Sequence, residues 1–323
     1  MKLYFAGSLP PKYLEREAHS VSGGRKFLAT FADKSSRRFA QTACLDPSLH
    51  LFIDSGAYSV WTKNKHIDIE EYVQFCLAIK QIAKCPVRFA ALDVIPGSPG
   101  EEATTHEREI ACEKGWENYE YMRKRDIECL MTFHQFETRY WLKKIADSTD
   151  YMCVSPRKSG VSYQDKLRWL KDVFRYIGPP MIKVHGLGVA SAEFMEIFPF
   201  YSVDNTAWLQ GGRVGNYMYF DEKELRVISV PPVTERTTVA ATYRCLKEGI
   251  RAYAELESRI TEVWQLRGEF WDEPRIENMV ASNPRFDALA TYDWQDACGR
   301  YDIQPRIPGF ETCDDDEVVG DPA

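Results

Sequence analysis

The sequence lacks an excess of positive charge, because its formal net charge is -7 at pH 7. A protein that binds nucleic acid would therefore need a local basic face. The sequence also lacks any apolar run near the roughly 20 residues that span a bilayer. Its N-terminal segment is too short and too interrupted for a signal peptide. We therefore expect a soluble, cytoplasmic protein with no membrane association.

Closely spaced cysteines are missing as well. None of the nine cysteines forms a C-x-x-C pair, which argues against a disulfide framework and a standard zinc knuckle. Most of them are expected to be buried in a reducing compartment. The sequence has no internal repeat and no low-complexity block. Hydrophobic residues make up 44% and aromatic residues 13%, enough for a large core, so disorder is not expected.

Short apolar, β-prone runs recur along the chain with helical patterns between them. Their apolar residues are consecutive, which is typical of parallel strands covered on both faces. The runs are Leu3–Ala6, Leu49–Asp54, Val87–Asp93, Glu128–Phe133, Tyr151–Ser155, Met181–His185 and Tyr201–Asp204, with Leu225–Val230 as a weaker eighth. This alternation favours an α/β fold, a (β/α)8 TIM barrel, over a doubly wound open sheet.

The chain divides into three predicted regions. Residues 1–232 form the barrel core. Residues 233–312 form a helical extension that completes the barrel or packs on it, and Thr237–Arg267 is its long helical stretch. Residues 313–323 are acidic and are predicted to be a disordered tail.

Acids and glycines concentrate at the carboxyl ends of the predicted strands, where active sites of barrels lie. Asp54, Asp93 and Asp204 each end a strand, and His185-Gly186-Leu187-Gly188 ends another. A lone Asp in such a place is more often a helix cap or an Asx-turn. Two carboxylates that flank a sugar carbon, however, suffice for retaining glycosyl chemistry, and a third could bind a base.

These segments resemble motifs of the tRNA-guanine transglycosylases. Asp54-Ser55-Gly56-Ala57-Tyr58 is similar to their D-S-G-G-F motif, and His185-Gly186-Leu187-Gly188 to the strand end before their nucleophile. Asp204, with Thr206 and Gly212-Arg213-x-Gly215 downstream, resembles the nucleophile segment. The order and approximate spacing agree across residues 50–215. The N-terminus and Tyr201–Gly215 are most similar to compact phage members, which are associated with placing 7-deazaguanines in DNA.

The resemblance implies a (β/α)8 barrel that exchanges a base through a covalent glycosyl-enzyme. Asp204 would attack C1′ of a guanosine nucleotide, Asp54 would be the general acid and base, and Asp93 would bind the donor edge of the base. Further candidates for base binding are Gln135, Gly186, Gly188, Ser55 and Tyr58. Candidates for contact with nucleic acid are Arg213, Arg157, Lys158 and Trp208. Tyr58, Trp61, Phe133 and Trp208 are candidate stacking partners, although the core is the better expectation for Phe133.

The sequence departs from the family at its zinc site. The C-x-C-x-x-C segment is absent, Cys245, Cys298 and Cys313 are far apart, and no His follows His185, so we expect no metal and no cofactor. The resemblance implies DNA and a free 7-deazaguanine base as partners, in the host cytoplasm if the gene is a phage gene. tRNA as the polymer, a barrel glycoside hydrolase, a noncatalytic nucleic-acid-binding relative and a homodimer are left open.

Overall fold

The computed structural model of the protein describes residues 1–7, 25–157, 160–178, 182–231, 239–268, 284–290 and 292, with the backbone alone at 213, 214, 239–242 and 284. One sheet holds nine strand segments in the order β5-β4-β3-β2-β1-β9-β8-β7-β6. They are β1 Lys2–Ala6, β2 Lys26–Thr30, β3 His50–Asp54, β4 Val87–Ala90, β5 Cys129–Leu130, β6 Thr132–His134, β7 Tyr151–Ser155, β8 Lys183–Gly186 and β9 Ser202–Asn205.

The sheet closes on itself through β5 and β6, which are separated only by Met131. β5 pairs with β4 and β6 pairs with β7, both in parallel. The N–H of Ala91 donates to the carbonyl of Leu130 (2.8 Å), and the N–H of Cys153 donates to the carbonyl of Met131 (2.8 Å), so hydrogen bonds continue on both sides of the break. The two segments therefore act as one strand of a closed, eight-stranded parallel barrel. This confirms the predicted (β/α)8 fold.

One predicted strand lies outside the barrel. β11, Arg226–Val230, pairs in antiparallel fashion with β10, Tyr217–Asp221, so the prediction of Leu225–Val230 as a barrel strand is wrong. The barrel strand that the sequence did not predict is β2, which has only three apolar residues between Lys26 and Thr30. Its central side chains are nevertheless buried, because β1 and β3 flank it and helices cover its outer face.

Helices follow most of the strands and cover the outside of the barrel. They are α1 Lys34–Ala43, α2 Ala57–Trp61, α3 Ile69–Ile82, α4 Thr105–Arg123, α5 Arg139–Ser148, α6 Tyr163–Ile177, α7 Ala192–Ile197, α8 Leu209–Val214, α9 Val239–Leu266 and α10 Pro284–Ala288. α9 packs against β1 and α7, in the place of the helix that follows the last barrel strand. None of the helices in the described ranges is both long enough and apolar enough to cross a bilayer. The acidic segment 313–323 lies outside those ranges.

Helix ends and apolar faces follow the sequence pattern. The side chain of Asp68 accepts the N–H of Glu71 at the start of α3, and Ser191 accepts the N–H of Phe194 at the start of α7. Such caps satisfy backbone donors that a helix leaves unpaired. On α6, the predicted stripe of Leu167, Leu170, Val173, Phe174 and Ile177 is buried against the barrel.

The core has two parts. A large apolar layer lies between the barrel and the helices, and a smaller cluster fills the barrel interior, including Tyr4, Leu28, Phe52 and Leu130. Side chains alternate between these two layers along each strand. On β9, for example, Val203 joins the outer layer, whereas Asp204 lines a cavity at the carboxyl end of the barrel. The smaller cluster is therefore an apolar plug that forms the floor of the polar cavity.

Candidate active site

A cavity of about 850 Å³ opens at the carboxyl ends of the barrel strands. This volume lies within the range of pockets that hold small molecules, roughly 300–1,000 Å³. Its walls come from the segments that follow β3, β4, β6, β7, β8 and β9. The lining includes Asp54, Tyr58, Trp61, Asp93, Glu102, Arg108, His134, Phe136, Arg157, Gly188, Asp204 and, from α9, Tyr253.

Three of the predicted acids converge in this cavity. Asp54, Asp93 and Asp204 all line it, although they come from three different strands. All three affect the thiol of Cys153, which is buried in the barrel interior. Burial raises the pKa of this thiol, and the charges of Asp54, Asp204 and Asp93 raise it further. All three carboxylates therefore lie near the same buried thiol.

Asp54 is held by the turn that follows β3. Its Oδ2 accepts the N–H of Gly56 (3.1 Å), as in an Asx-turn. Asp54 therefore stabilises the turn and also lines the cavity. Gly56 has φ 79°, and a Cβ there would lie 2.4 Å from Cγ2 of Thr30. Only glycine fits this turn without strain. The turn leads into α2, which carries Tyr58 and Trp61 on the cavity wall.

Asp93 belongs to a buried network that the sequence did not reveal. Its Oδ1 accepts a hydrogen bond from Oγ of Ser55 (3.1 Å), and its Oδ2 lies 3.1 Å from Nε2 of His134. Nδ1 of His134 lies 2.7 Å from Oε1 of Glu137. Burial alone would lower the pKa of His134, but the carboxylates of Glu137 and Asp93 raise it to about 10. The cavity therefore contains a fixed imidazolium beside Asp93 at neutral pH.

Asp204 is held by the segment that follows β8. Its Oδ1 accepts the N–H of Gly188 (2.9 Å) and lies 3.4 Å from Nε2 of His185. Gly188 lines the cavity, as expected for a close approach of backbone to ligand. Gly186 does not line it. A Cβ at that position would lie 2.2 Å from Cγ2 of Val189, so this glycine permits packing against the core rather than contact with a base.

Two of the predicted base-binding residues lie beneath the surface. Ser55 is fully buried and reaches the cavity only through Asp93. The carboxamide of Gln135 accepts the N–H of Arg157 (3.0 Å) and donates to the carbonyl of Asp165 (3.4 Å), and this residue is 2% exposed. Gln135 therefore fixes the loop after β7 and does not face a bound base, so its predicted base contact is wrong.

The predicted contact of Trp208 with nucleic acid is also wrong. Its side chain has no exposed surface, its Nε1 donates to the carbonyl of Ala6 (3.0 Å), and its ring packs edge-on against Phe5. A ring enclosed in the core cannot stack on a base. Phe133 is buried against Trp169 as expected.

Two arginines approach each other at the wall of the cavity. Nη2 of Arg108 lies 3.1 Å from Oε1 of Glu102, and Nη1 of Arg157 lies 3.7 Å from the same oxygen. The sequence indicated Arg157 but not Arg108, which sits on α4 without a motif around it. Lys158 lies outside the described residues, as does the side chain of Arg213 on α8.

The basic segment Lys34, Arg37 and Arg38 lies elsewhere. These residues are on α1 and line a separate groove against α3, together with acids such as Glu70 and Glu71. This segment is therefore helical. Its charges do not extend the wall of the cavity.

Within the described ranges, no group of three or more His, Cys, Asp or Glu side chains is arranged to hold a metal ion. Cys245 is buried on α9 and donates to the carbonyl of Gly215 (3.4 Å). Cys298 and Cys313 lie outside those ranges. The expectation of a protein without zinc stays a prediction.

The cavity combines three aspartates, an imidazolium, two arginines and exposed aromatic surface. This set can attack an electron-poor carbon, move protons and bind a polar, flat ligand with an anionic group attached. No protein-family model matches the chain, and no curated protein is similar enough to it to indicate a relationship.

Proposed function

We propose that the protein is a base-exchange glycosyltransferase of the guanine transglycosylase type. It replaces guanine in a nucleic acid with a 7-deazaguanine such as 7-cyano-7-deazaguanine. The nucleic acid that we propose is phage DNA. The proposal depends mainly on one observation: Asp54, Asp93 and Asp204 line a single cavity of about 850 Å³ at the carboxyl end of the barrel. The resemblance of the segments around Asp54 and Asp204 to transglycosylase motifs supports it.

Asp204 is the nucleophile. Its Oδ1 is occupied by Gly188 and faces His185, whereas no described residue bonds to Oδ2. Oδ2 attacks C1′ of the target nucleotide while the C1′–N9 bond breaks and its electron pair passes to the leaving guanine. Asp54, protonated at this stage, gives a proton to that base. The product is an ester between Asp204 and the sugar.

The second half of the reaction reverses these roles. The carboxylate of Asp54 takes a proton from the incoming 7-deazaguanine, whose nitrogen attacks C1′. The bond between C1′ and Oδ2 breaks, and Asp204 is released as a carboxylate. Two displacements at one carbon retain its configuration, and Asp54 returns to its protonated state.

Asp93 binds the base. A carboxylate accepts hydrogen bonds from two N–H groups of a guanine-like edge, and Nε2 of His134, 3.1 Å from Oδ2, orients the carboxylate of Asp93. The target base must first leave its stack, at a cost of a few kcal/mol. Tyr58, Trp61 and Phe136 offer aromatic surface in the cavity that offsets this cost.

The phosphates of the polymer are expected at Arg108 and Arg157. Glu102 lies close to both guanidinium groups and is itself largely exposed, with 73% of its side-chain surface accessible. A phosphate group can take its place, because a guanidinium binds phosphate and carboxylate in the same bidentate way.

The test is incorporation of a labelled base into a polymer. Purified protein is incubated with labelled guanine or 7-cyano-7-deazaguanine and with DNA or tRNA, and label in the polymer is counted. We expect uptake into DNA, and none with Asp204→Asn. Uptake into tRNA alone would show that tRNA is the polymer, and release of sugar from an oligosaccharide would favour the hydrolase. Uptake into neither polymer would refute base exchange.

A further inference from the structure

Beneath Asp204, a line of polar side chains crosses the interior of the barrel. Nε2 of His185 lies 3.4 Å from Oδ1 of Asp204, and Nδ1 of the same ring lies 2.6 Å from Oγ of Ser202. Oγ of Ser202 lies in turn 2.6 Å from the hydroxyl of Tyr151. His185 and Ser202 have no exposed surface, and Tyr151 is buried. Buried polar groups as a rule satisfy one another, and Nε2 of His185 is the atom of this line that has no hydrogen-bond partner among the described residues.

The order of donors along this line follows from its two ends. Burial raises the pKa of the Tyr151 hydroxyl well above its ordinary value, so Tyr151 keeps its proton and donates to Ser202. Ser202 then donates to Nδ1 of His185, which leaves the ring proton on Nε2, where it faces the carboxylate of Asp204. In the opposite tautomer, a bare Nε2 lone pair would face a negative charge, and no described residue would donate to it.

The imidazole ring has little freedom to turn. It stacks on Phe52, with centroids 4.4 Å apart and 21° between the planes, and Tyr4 meets it edge-on at 5.9 Å. These apolar neighbours belong to the plug that fills the barrel interior. The ring is therefore held with Nδ1 against Ser202 and with Nε2 directed at Asp204 across 3.4 Å.

We propose that His185 is a positioning residue for Asp204. Its Nε2–H and the N–H of Gly188 both address Oδ1, so the carboxylate is oriented with Oδ2 as the attacking oxygen. Oδ1 becomes the carbonyl oxygen of the glycosyl ester. When the incoming base displaces Asp204, negative charge returns to the carboxylate, and the two donors stabilise it. This role rests on the proposed base exchange.

Substitution of His185 by residues with and without a donor tests this role. His185→Phe keeps a flat ring on Phe52 but removes the N–H, whereas His185→Gln restores a side-chain N–H. We expect kcat for exchange to fall roughly 10- to 1,000-fold in the Phe variant, as when one such donor is removed, with little change in KM for the polymer. The Gln variant should recover much of the loss. Equal kcat values in wild type and the Phe variant would overturn the proposal.

A second measurement does not depend on turnover. Nitrogen-15 NMR of labelled protein reports which ring nitrogen carries the proton, and the signal of His185 is assigned by its loss in His185→Gln. We expect a neutral ring protonated on Nε2, and a weaker preference for this tautomer in Ser202→Ala. A proton on Nδ1 alone, or on both nitrogens, would overturn the proposal. If the Nε2–H form is found but the wild type exchanges no base, the proposed function fails and not the hydrogen-bonded line.

Discussion

The imidazolium of His134 leads to a prediction on stability that can be worked out from its neighbours. Its pKa rises from the ordinary 6.5 to about 10, because the carboxylates of Glu137 and Asp93 outweigh burial. A pKa that is raised on folding adds stability that is fully present below the unfolded value and is lost as pH rises through the folded value. The window for His134 therefore runs from about pH 6.5 to about pH 10.

The size of this effect follows from the same shift. One pH unit of difference corresponds to about 1.4 kcal/mol, so the charge of His134 contributes up to about 5 kcal/mol at pH 6 and little above pH 10. His134→Gln removes the charge and leaves the carboxylates of Glu137 and Asp93 without their cation. We expect it to lower the free energy of unfolding by about 3–5 kcal/mol near pH 6, and by much less near pH 10.

Urea unfolding of both proteins at pH 6, 8 and 10 measures this difference. Comparison of wild type with variant at each pH cancels the titration of groups that do not contact His134. His106→Gln is the matched control, because His106 is exposed at the start of α4 and its loss should leave the free energy of unfolding nearly unchanged at every pH. A loss in His134→Gln that is the same at pH 6 and pH 10 would refute the assignment of an imidazolium.

Four further predictions concern single residues. Asp204→Asn should abolish exchange and the covalent adduct seen by mass spectrometry of quenched protein, while the melting temperature stays close to that of wild type; turnover at the normal rate would remove Asp204 as nucleophile. Asp54→Asn should slow exchange roughly 100- to 10,000-fold in a steady-state assay, as expected for loss of a general acid and base, and an unchanged rate would exclude that role. Gly56→Ala should destabilise the protein by about 1–3 kcal/mol in urea unfolding, because the new Cβ would lie 2.4 Å from Cγ2 of Thr30 at a positive φ; a neutral effect would contradict the turn geometry. Trp208→Phe should lower stability by about 1–3 kcal/mol but leave polymer affinity and its salt dependence unchanged, and a weaker salt dependence would restore Trp208 as a contact.

The barrel could be predicted because strands buried on both faces appear in a sequence as consecutive apolar runs. β3, β7 and β9 were located in this way to within a residue or so at either end. β2 was missed because its three apolar residues are too few to stand out, and its burial is supplied by the neighbouring strands. The hairpin strand β11 was mistaken for a barrel strand because a half-exposed antiparallel strand of this length shows the same residue types.

The residues of the candidate site could likewise be predicted only in part. Asp54, Asp93 and Asp204 could be predicted, because the carboxyl ends of parallel strands meet at one end of a barrel whatever the details of packing. His134, Arg108 and the buried pair of His185 with Asp204 could not. His134 meets Asp93 from 41 residues away, and neither residue carries a local sign of the other. Which side chains share a cavity depends on how distant strands are aligned.

The sequence by itself determined the periodicity of the chain, and with it the parallel barrel and the end at which its acids gather. Only the tertiary structure decided which of the candidate side chains reach solvent. Trp208 and Gln135 are residue types that often bind nucleic acid or a base. Trp208, however, packs against Phe5 in the core, and Gln135 is hydrogen-bonded to the backbone of Arg157. Exposure is set by neighbours that are distant in the chain, and local spacing does not encode it.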